Sequence, residues 1–306
     1  MRRIRIWKRR TARGQRMALS AAVLLFVCLR IFCMREGRES DKEVCRYDVL
    51  KESAAGYERI PMDDYLVGAL AACMPETYEP EAYKAQAVLL RTRLIMIADQ
   101  NQTKEIPYEQ AGQNALSDTQ MRARFGREYE KTRRKCEAAV RETDRMILQY
   151  HGVTAEAPYF ALSAGHTREN GKMTSVSCKE DVMADDYLTE QSVPAAVFSG
   201  QMQAILETTE EVNPSQIELV RDSAGYVEWV QWNDQRISGE KVQELFSLPS
   251  SSFSIEEQKR DVVITVKGVG HGYGMSQYTA NLMAQRGDNF YTILAYFFPR
   301  YEIVKK

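Results

Sequence analysis

Residues 17–34, Met-Ala-Leu-Ser-Ala-Ala-Val-Leu-Leu-Phe-Val-Cys-Leu-Arg-Ile-Phe-Cys-Met, constrain this 306-residue chain more than any other segment. Roughly 20 apolar residues cross a bilayer as a helix. The run is broken only near its end by Arg30, whose long stem can carry its charge to the interface. Ahead of it stand Arg2, Arg3, Arg5, Lys8, Arg9, Arg10, Arg13 and Arg16, with no acid among them. Positive flanks stay on the cytoplasmic side. Residues 1–16 therefore read as a basic cytoplasmic arm and 17–34 as a single-pass transmembrane anchor. Everything after them is expected on the outer face. A cleaved signal peptide is the competing reading, but no small-x-small site follows the run. A buried helix of a soluble protein is the third, and the cationic cluster argues against it.

The remainder has the composition of a folded protein, 44% hydrophobic and 27% charged over the whole chain. Its length suits one large core or two modest ones. The net charge is −1 although the arm is strongly basic, so the exported part is acidic and a nucleic-acid partner is not expected. Of six cysteines, Cys45, Cys73, Cys136 and Cys178 follow the anchor, where disulfides are allowed. No C-x-x-C or other compact zinc spacing occurs, and either a disulfide among them or unpaired buried thiols fit the sequence.

Residues 35–57 are charged and aperiodic and read as a linker, leaving 58–306 as the folded domain. Met62–Ala72 has helical apolar spacing, with acids at its start. After a break at Met74-Pro75, a second helix begins at Pro80, a residue suited to the first helical position, and runs to Ile97. That helix is apolar on most faces, as a buried one would be. Residues 100–117 read as a loop and 127–147 as a charged surface helix. Arg145–Tyr150 reads as a strand, His151-Gly152 as a turn and Ala157–Ser163 as the returning strand. A helix is expected over 193–210, strands over 217–221, 227–232 and 262–267, a short helix capped by Ser238, two C-terminal helices and a last strand. Helices and strands do not alternate regularly. The expected class is α+β, with mixed helices and mostly antiparallel strands forming one bilobed domain around a cleft.

Between strand and helix lies Gly268-Val-Gly-His-Gly-Tyr-Gly-Met-Ser-Gln-Tyr278. Glycine permits positive φ and close backbone approach. The expectation is that backbone N–H groups at the helix start and the Ser276 hydroxyl bind anions or sugar hydroxyls. His271, one of only three histidines, is the candidate donor, acid/base or ligand there. No βαβ context surrounds the stretch, so it is not a dinucleotide loop.

This stretch, continued by Ala280-Asn281 and Met283-Ala284, resembles the C-terminal signature of the stage II sporulation protein D / amidase enhancer (SpoIID/LytB) family. A second signature has the same order and spacing as the family's: Asp64-Tyr-Leu-Val-Gly68, Met74-Pro75, Glu81-Ala82, Lys84-Ala-Gln-Ala-Val88, Arg91-Thr92. Asp118-Thr-Gln120 and Ser163-Ala-Gly165 with Thr167 are weaker matches. The resemblance covers roughly residues 60–305. It implies a protein of sporulation (engulfment) that cleaves peptide-stripped glycan strands of peptidoglycan in the manner of a lytic transglycosylase. Its implied partners are an amidase and a membrane protein of the same machine. Some members of the family resemble zinc proteins, with a His and a close cysteine pair in mid-chain; here Cys136 stands alone there and no His precedes His151, so no metal or other cofactor is expected. The substrate-binding set it implies is Lys84, Gln86, Arg91, Gly270, His271, Gly272, Gly274, Ser276 and Gln277. For Lys84 and Arg91 a helix-face pair or cap contact is the equal alternative.

At the expected catalytic position, too, the sequence departs from the family. The family carries Glu, its expected acid/base, directly before Met-Pro; here Cys73 stands there. A thiol of ordinary pKa is a poor proton donor to a glycosidic oxygen. Glu81 and Glu76 are the candidate replacements. The alternative is a degenerate member that binds glycan or activates a partner amidase without cutting.

Overall fold

The computed structural model describes residues 47–53, 56–112 and 114–306. Val49–Lys306 form one compact unit. The predicted arm and anchor lie outside the described residues. Among the described residues no helix is long and apolar enough to cross a membrane.

In chain order the elements are β1 (Asp48–Ser53), β2 (Gly56–Pro61), α1 (Met62–Cys73), α2 (Pro80–Asn101), β3 (Glu105–Pro107), α3 (Asp118–Phe125) and α4 (Tyr129–Glu142). Then come β4 (Met146–Tyr150), β5 (Val153–Thr154), β6 (Tyr159–Phe160), β7 (Leu188–Pro194), α5 (Ala195–Leu206), β8 (Ile217–Arg221), β9 (Val227–Trp232), β10 (Gln235–Ser238) and α6 (Gly239–Leu245). Last are β11 (Phe253–Gln258), β12 (Asp261–Lys267), β13 (Met275–Ser276), α7 (Gln277–Gln285), α8 (Phe290–Phe297) and β14 (Glu302–Lys305). Helices mix with mainly antiparallel strands, so the class is α+β. β13 and β6 pair in parallel, Met275 opposite Tyr159.

Two hydrophobic clusters organise the unit. The first surrounds α2, whose Ala85, Val88 and Leu89 pack with Leu148 of β4, Ala280 of α7 and Ile293, Leu294 and Phe297 of α8. An all-round apolar helix must be enclosed, and α2 is buried from Ala82 to Ala98 on nearly every side. The second cluster joins Phe198 and Met202 of α5, Val227 and Val230 of β9, Val242 of α6 and Val262, Ile264 and Val266 of β12. Alternation along β12 puts those three inward and leaves Val263, Thr265 and Lys267 on the other face.

Three expectations are corrected. The predicted linker 35–57 contains β1 and the start of β2, short polar strands whose apolar alternation is too weak to read. The strand returning from His151-Gly152 is Val153–Thr154, a two-residue hairpin in which both turn residues have positive φ. Within the predicted strand Ala157–Ser163, only Tyr159–Phe160 is extended pairing, and its partner is the distant β13. Cys73, Cys136 and Cys178 are free thiols, and Cys45 lies outside the described residues.

Candidate functional site

The glycine stretch is a closed ribbon rather than an open anion nest. Several of its backbone N–H groups are already used: Gly268 donates to Tyr187, Val269 to Leu162, Gly270 to Pro249, Met275 to Pro158 and, at the helix start, Tyr278 to Ala161. All four glycines are needed for contact as well as for φ, and two illustrate it. At Gly274 (φ +79°) a Cβ would lie 2.0 Å from the Pro158 carbonyl oxygen, and at Gly272 (φ +83°) 2.6 Å from the Tyr226 ring. No side chain fits at those distances. The expectation that this helix start binds anions is therefore corrected.

Ser276 is also spoken for. It is buried, caps α7 by accepting from Thr279 N, and donates to Asp181 Oδ2 at 2.8 Å. Asp181 accepts further from Ser163 N at 2.7 Å and Thr279 Oγ1 at 2.5 Å. Burial pushes its pKa above the ordinary carboxylate value, against the pull of these donors. Nothing in sequence singled Asp181 out, because its partners lie far along the chain.

Gln277 reaches the other signature. Its Nε2 donates to Cys73 O at 3.2 Å, with Met74 Sδ and Gln86 Oε1 at similar range. Gln86 and Gln277 are both buried, so they support the Cys73-Met74 turn from beneath instead of touching a ligand. Arg91 is corrected in the same sense. At 1% exposure, it donates from Nη1 to Thr143 O at 2.7 Å and from Nη2 to Val140 O at 3.1 Å. It closes the C-terminal carbonyls of α4, where a cation also suits the helix dipole. Lys84 is held between Glu81 (2.6 Å) and Glu142 (2.7 Å). The second oxygen of Glu81 accepts from Phe290 N, the first residue of α8, at 2.9 Å. Both Glu81 oxygens thus have structural partners.

Two predicted residues remain at the surface. Glu76 is exposed on the loop between α1 and α2, and among the described residues its carboxylate forms no ion pair. The loop is pinned around it: Lys135 Nζ donates to the carbonyls of Glu76 (2.8 Å) and Tyr78 (2.6 Å), Tyr83 to Pro75 O, and Glu79 N to Asn281 Oδ1. His271 is exposed and lines a pocket of about 470 Å3 with Leu90 and Arg93 of α2, Gly112, Glu156 and Tyr159. Its Nδ1 accepts from Tyr273 N at 3.0 Å. The ring donates to the Tyr159 carbonyl, and desolvation of the ring by the pocket wall lowers its pKa. It is a neutral imidazole with a fixed tautomer.

Tyr159 joins the two signatures. It lines the pocket, and its side chain hydrogen-bonds the half-buried Cys73 thiol, which burial pushes up to about 12. Such a thiol holds its proton and is neither a useful acid nor a nucleophile at neutral pH. Tyr159 and Glu156 escaped notice because no periodicity or motif marks them. Gly270 is half-buried beside Phe160, while Gly272 and Gly274 are buried. Among the described residues, no three His, Cys, Asp or Glu side chains come together as metal ligands would.

A family model described as stage II sporulation protein matches residues 51–150. Stage II sporulation protein D of Bacillus subtilis strain 168 is 29% identical over 266 residues, covering 82% of this chain and 76% of its own. Its counterpart in Bacillus amyloliquefaciens is 29% identical over 270 residues, covering 83% and 77%. Over most of its length the chain is similar to stage II sporulation protein D. This similarity supports a role in sporulation. An uncharacterised protein of Brachyspira hyodysenteriae is 27% identical over 263 residues, 79% of this chain and 66% of its own. The family match spans Cys73, Glu76, Glu81 and Arg91, so the departure at Cys73 lies inside the part that resembles the family model.

Proposed function

We propose that this sporulation protein binds glycan strands of peptidoglycan on the outer face of a membrane to which residues 17–34 anchor it. The strand lies against the pocket of His271, Tyr159 and Glu156. The observation that carries the reading is Tyr159: it lines that pocket beside His271 and hydrogen-bonds the thiol standing where the family has its acid. Tyr159 therefore links Cys73 of the first signature to a concave surface that His271 of the second lines, and ligands bind by preference at such surfaces. With Cys73 protonated and Glu81 held by Lys84 and Phe290, binding is favoured over cutting.

Lytic-transglycosylase-like cleavage is the second reading, and Glu76 favours it. Cleavage of this type needs one carboxyl group to protonate the glycosidic oxygen and then accept a proton from the sugar's own 6-hydroxyl. Glu76 is the candidate carboxyl on the Met74-Pro75 loop without an ion pair among the described residues. A partner amidase and a membrane protein of the engulfment machine belong to either reading.

The test uses the full chain in detergent with peptide-free glycan strands. Retention of strands without 1,6-anhydro products, together with a gain of such products in Cys73→Glu, is expected. Cleavage by the wild type that Glu76→Gln abolishes without unfolding would establish the second reading. Failure to retain strands at low salt rejects both.

A further inference from the structure

Helix α4 buries one face and leaves a row of cations on the other. Tyr129, Thr132, Cys136, Ala139 and Val140 are its buried side. Opposite them Lys131, Arg134, Ala138 and Arg141 recur at intervals of three and four residues, which aligns them along one helix face. Lys131 to Arg141 spans about 15 Å. Arg127 leads into the row and Arg145 follows it, both exposed. Lys131 and Arg141 keep 75% and 71% of their side-chain surface in solvent.

The acids nearby do not cancel this row. Glu137 is bonded to Arg133 at 2.9 Å and Glu142 to Lys84 at 2.7 Å, both cations off the row. Glu130 is 3.9 Å from Arg122, and Asp144 is within electrostatic reach of Arg91 and Asp63. The row itself forms only exposed pairs with neighbours in sequence, Lys131 with Glu128 at 3.3 Å and Arg141 with Glu142 at 3.8 Å, and such pairs contribute little. Among the described residues Arg127, Arg134 and Arg145 form no ion pair; Arg134 donates from Nε to the Glu130 carbonyl at 3.1 Å.

The exported part of the chain is acidic as a whole, so a basic row on it is a local reversal of sign. Near an anionic surface such a body is oriented: the row is attracted while the acidic remainder is repelled. Only residues 35–46 separate the predicted anchor from Tyr47, where the described residues begin. Fully extended, a segment of that length reaches about 45 Å. The chain itself therefore keeps one large anionic surface close to α4, the bilayer, whereas a free polyanion would have to be captured from solution. We infer that the Lys131–Arg141 face of α4 lies on the anionic lipid headgroups of the membrane that carries the anchor. This rests on the anchor reading above. The row holds no large apolar side chain, so the contact is with headgroup phosphates and stays outside the hydrocarbon. Lys135, beside Arg134, donates to the carbonyls of Glu76 and Tyr78, so docking of α4 also fixes the loop after α1 relative to the bilayer.

The experiment places the full chain in lipid nanodiscs of neutral phosphatidylcholine, or of the same lipid with about one third phosphatidylglycerol, and follows acetylation of single lysines by an uncharged reagent. Lys241 on α6 is the internal reference. At low salt Lys131 should react on the order of fivefold more slowly, relative to Lys241, in anionic discs than in neutral ones. The protection should vanish in about 0.5 M salt, where the screening length is about 4 Å. Arg127→Gln, Arg134→Gln and Arg141→Gln together should abolish it. Lys172→Gln, Lys179→Gln and Lys259→Gln together, the same loss of charge at other exposed positions, should leave it intact. Equal rates in the two discs, or protection that survives the first triple variant, overturns the inference. Protection of Lys131 in neutral discs by added poly(glycerol phosphate) or an oligonucleotide, with none from anionic lipid, assigns the row to a soluble polyanion and overturns it too. Failure of the chain to enter discs of either kind overturns the anchor reading, and this inference with it.

Discussion

Asp181 accepts a hydrogen bond from Ser276 at 2.8 Å while Ser276 caps α7, so a loop carboxylate and a helix start are fixed by one hydroxyl. The other donors to Asp181, Ser163 N and Thr279 Oγ1, tie the β6 side of the ribbon to the same point. Asp181→Asn keeps the shape but turns an amide N–H toward groups that donate. The expected loss is about 2–3 kcal/mol in urea unfolding. A loss under about 0.5 kcal/mol would show that these bonds do not hold the ribbon.

Arg91→Met should cost about 3 kcal/mol, because it strands the carbonyls of Val140 and Thr143 at a buried helix end. Chemical denaturation measures this. Glycan binding per folded molecule should stay at the wild-type level; a selective loss of binding would return Arg91 to the ligand.

Gly274→Ala is expected to fail to fold or to lose at least about 3 kcal/mol, since a Cβ 2.0 Å from Pro158 O cannot be accommodated and φ is +79°. Gly171→Ala, where a Cβ meets open space, is the control. Equal soluble yield and thermal midpoint for the two variants would contradict the closed ribbon.

His271 should make stability depend on pH. Its folded pKa lies below the ordinary 6.5, so the unfolded chain binds a proton that the folded one refuses. Stability from this group is complete above 6.5 and declines as pH falls from there toward the folded value. The thermal midpoint of wild type relative to His271→Gln should therefore fall between about pH 7 and pH 5. A flat difference would mean that the imidazole is protonated without cost.

Cys73, with its thiol raised to about 12, should react with iodoacetamide at pH 8 roughly a thousandfold more slowly than a free cysteine, by peptide mapping under native conditions. Alkylation at the free-thiol rate would put the thiol in open solvent, away from Tyr159.

Much of this fold was legible because it is locally encoded. The all-round apolar run of α2 and its Pro80 start, the Ser238 cap and the alternation of β12 each act within a few residues. The site was legible only in part. Signature matching located the residues of both walls but not what they do, since Arg91, Gln86, Gln277 and Ser276 are spent on holding the walls together. Tyr159, Glu156 and Asp181 depend on pairings between distant segments, and a one-dimensional pattern holds no trace of those. The short polar strands β1 and β2 escaped for the opposite reason, having too little buried apolar surface to leave a period.

The bond from Gln277 to Cys73 closes a loop of 204 residues. Closing so long a loop carries an entropic cost that local structure cannot offset early in folding. The first signature leaves the ribosome with its helices ready but its turn at Cys73-Met74 unsupported. That turn has to wait for nearly the whole remaining chain. The pocket is thus a late event in the life of each molecule, and a chain cut short before α7 would carry the first signature without ever assembling the surface it helps to form.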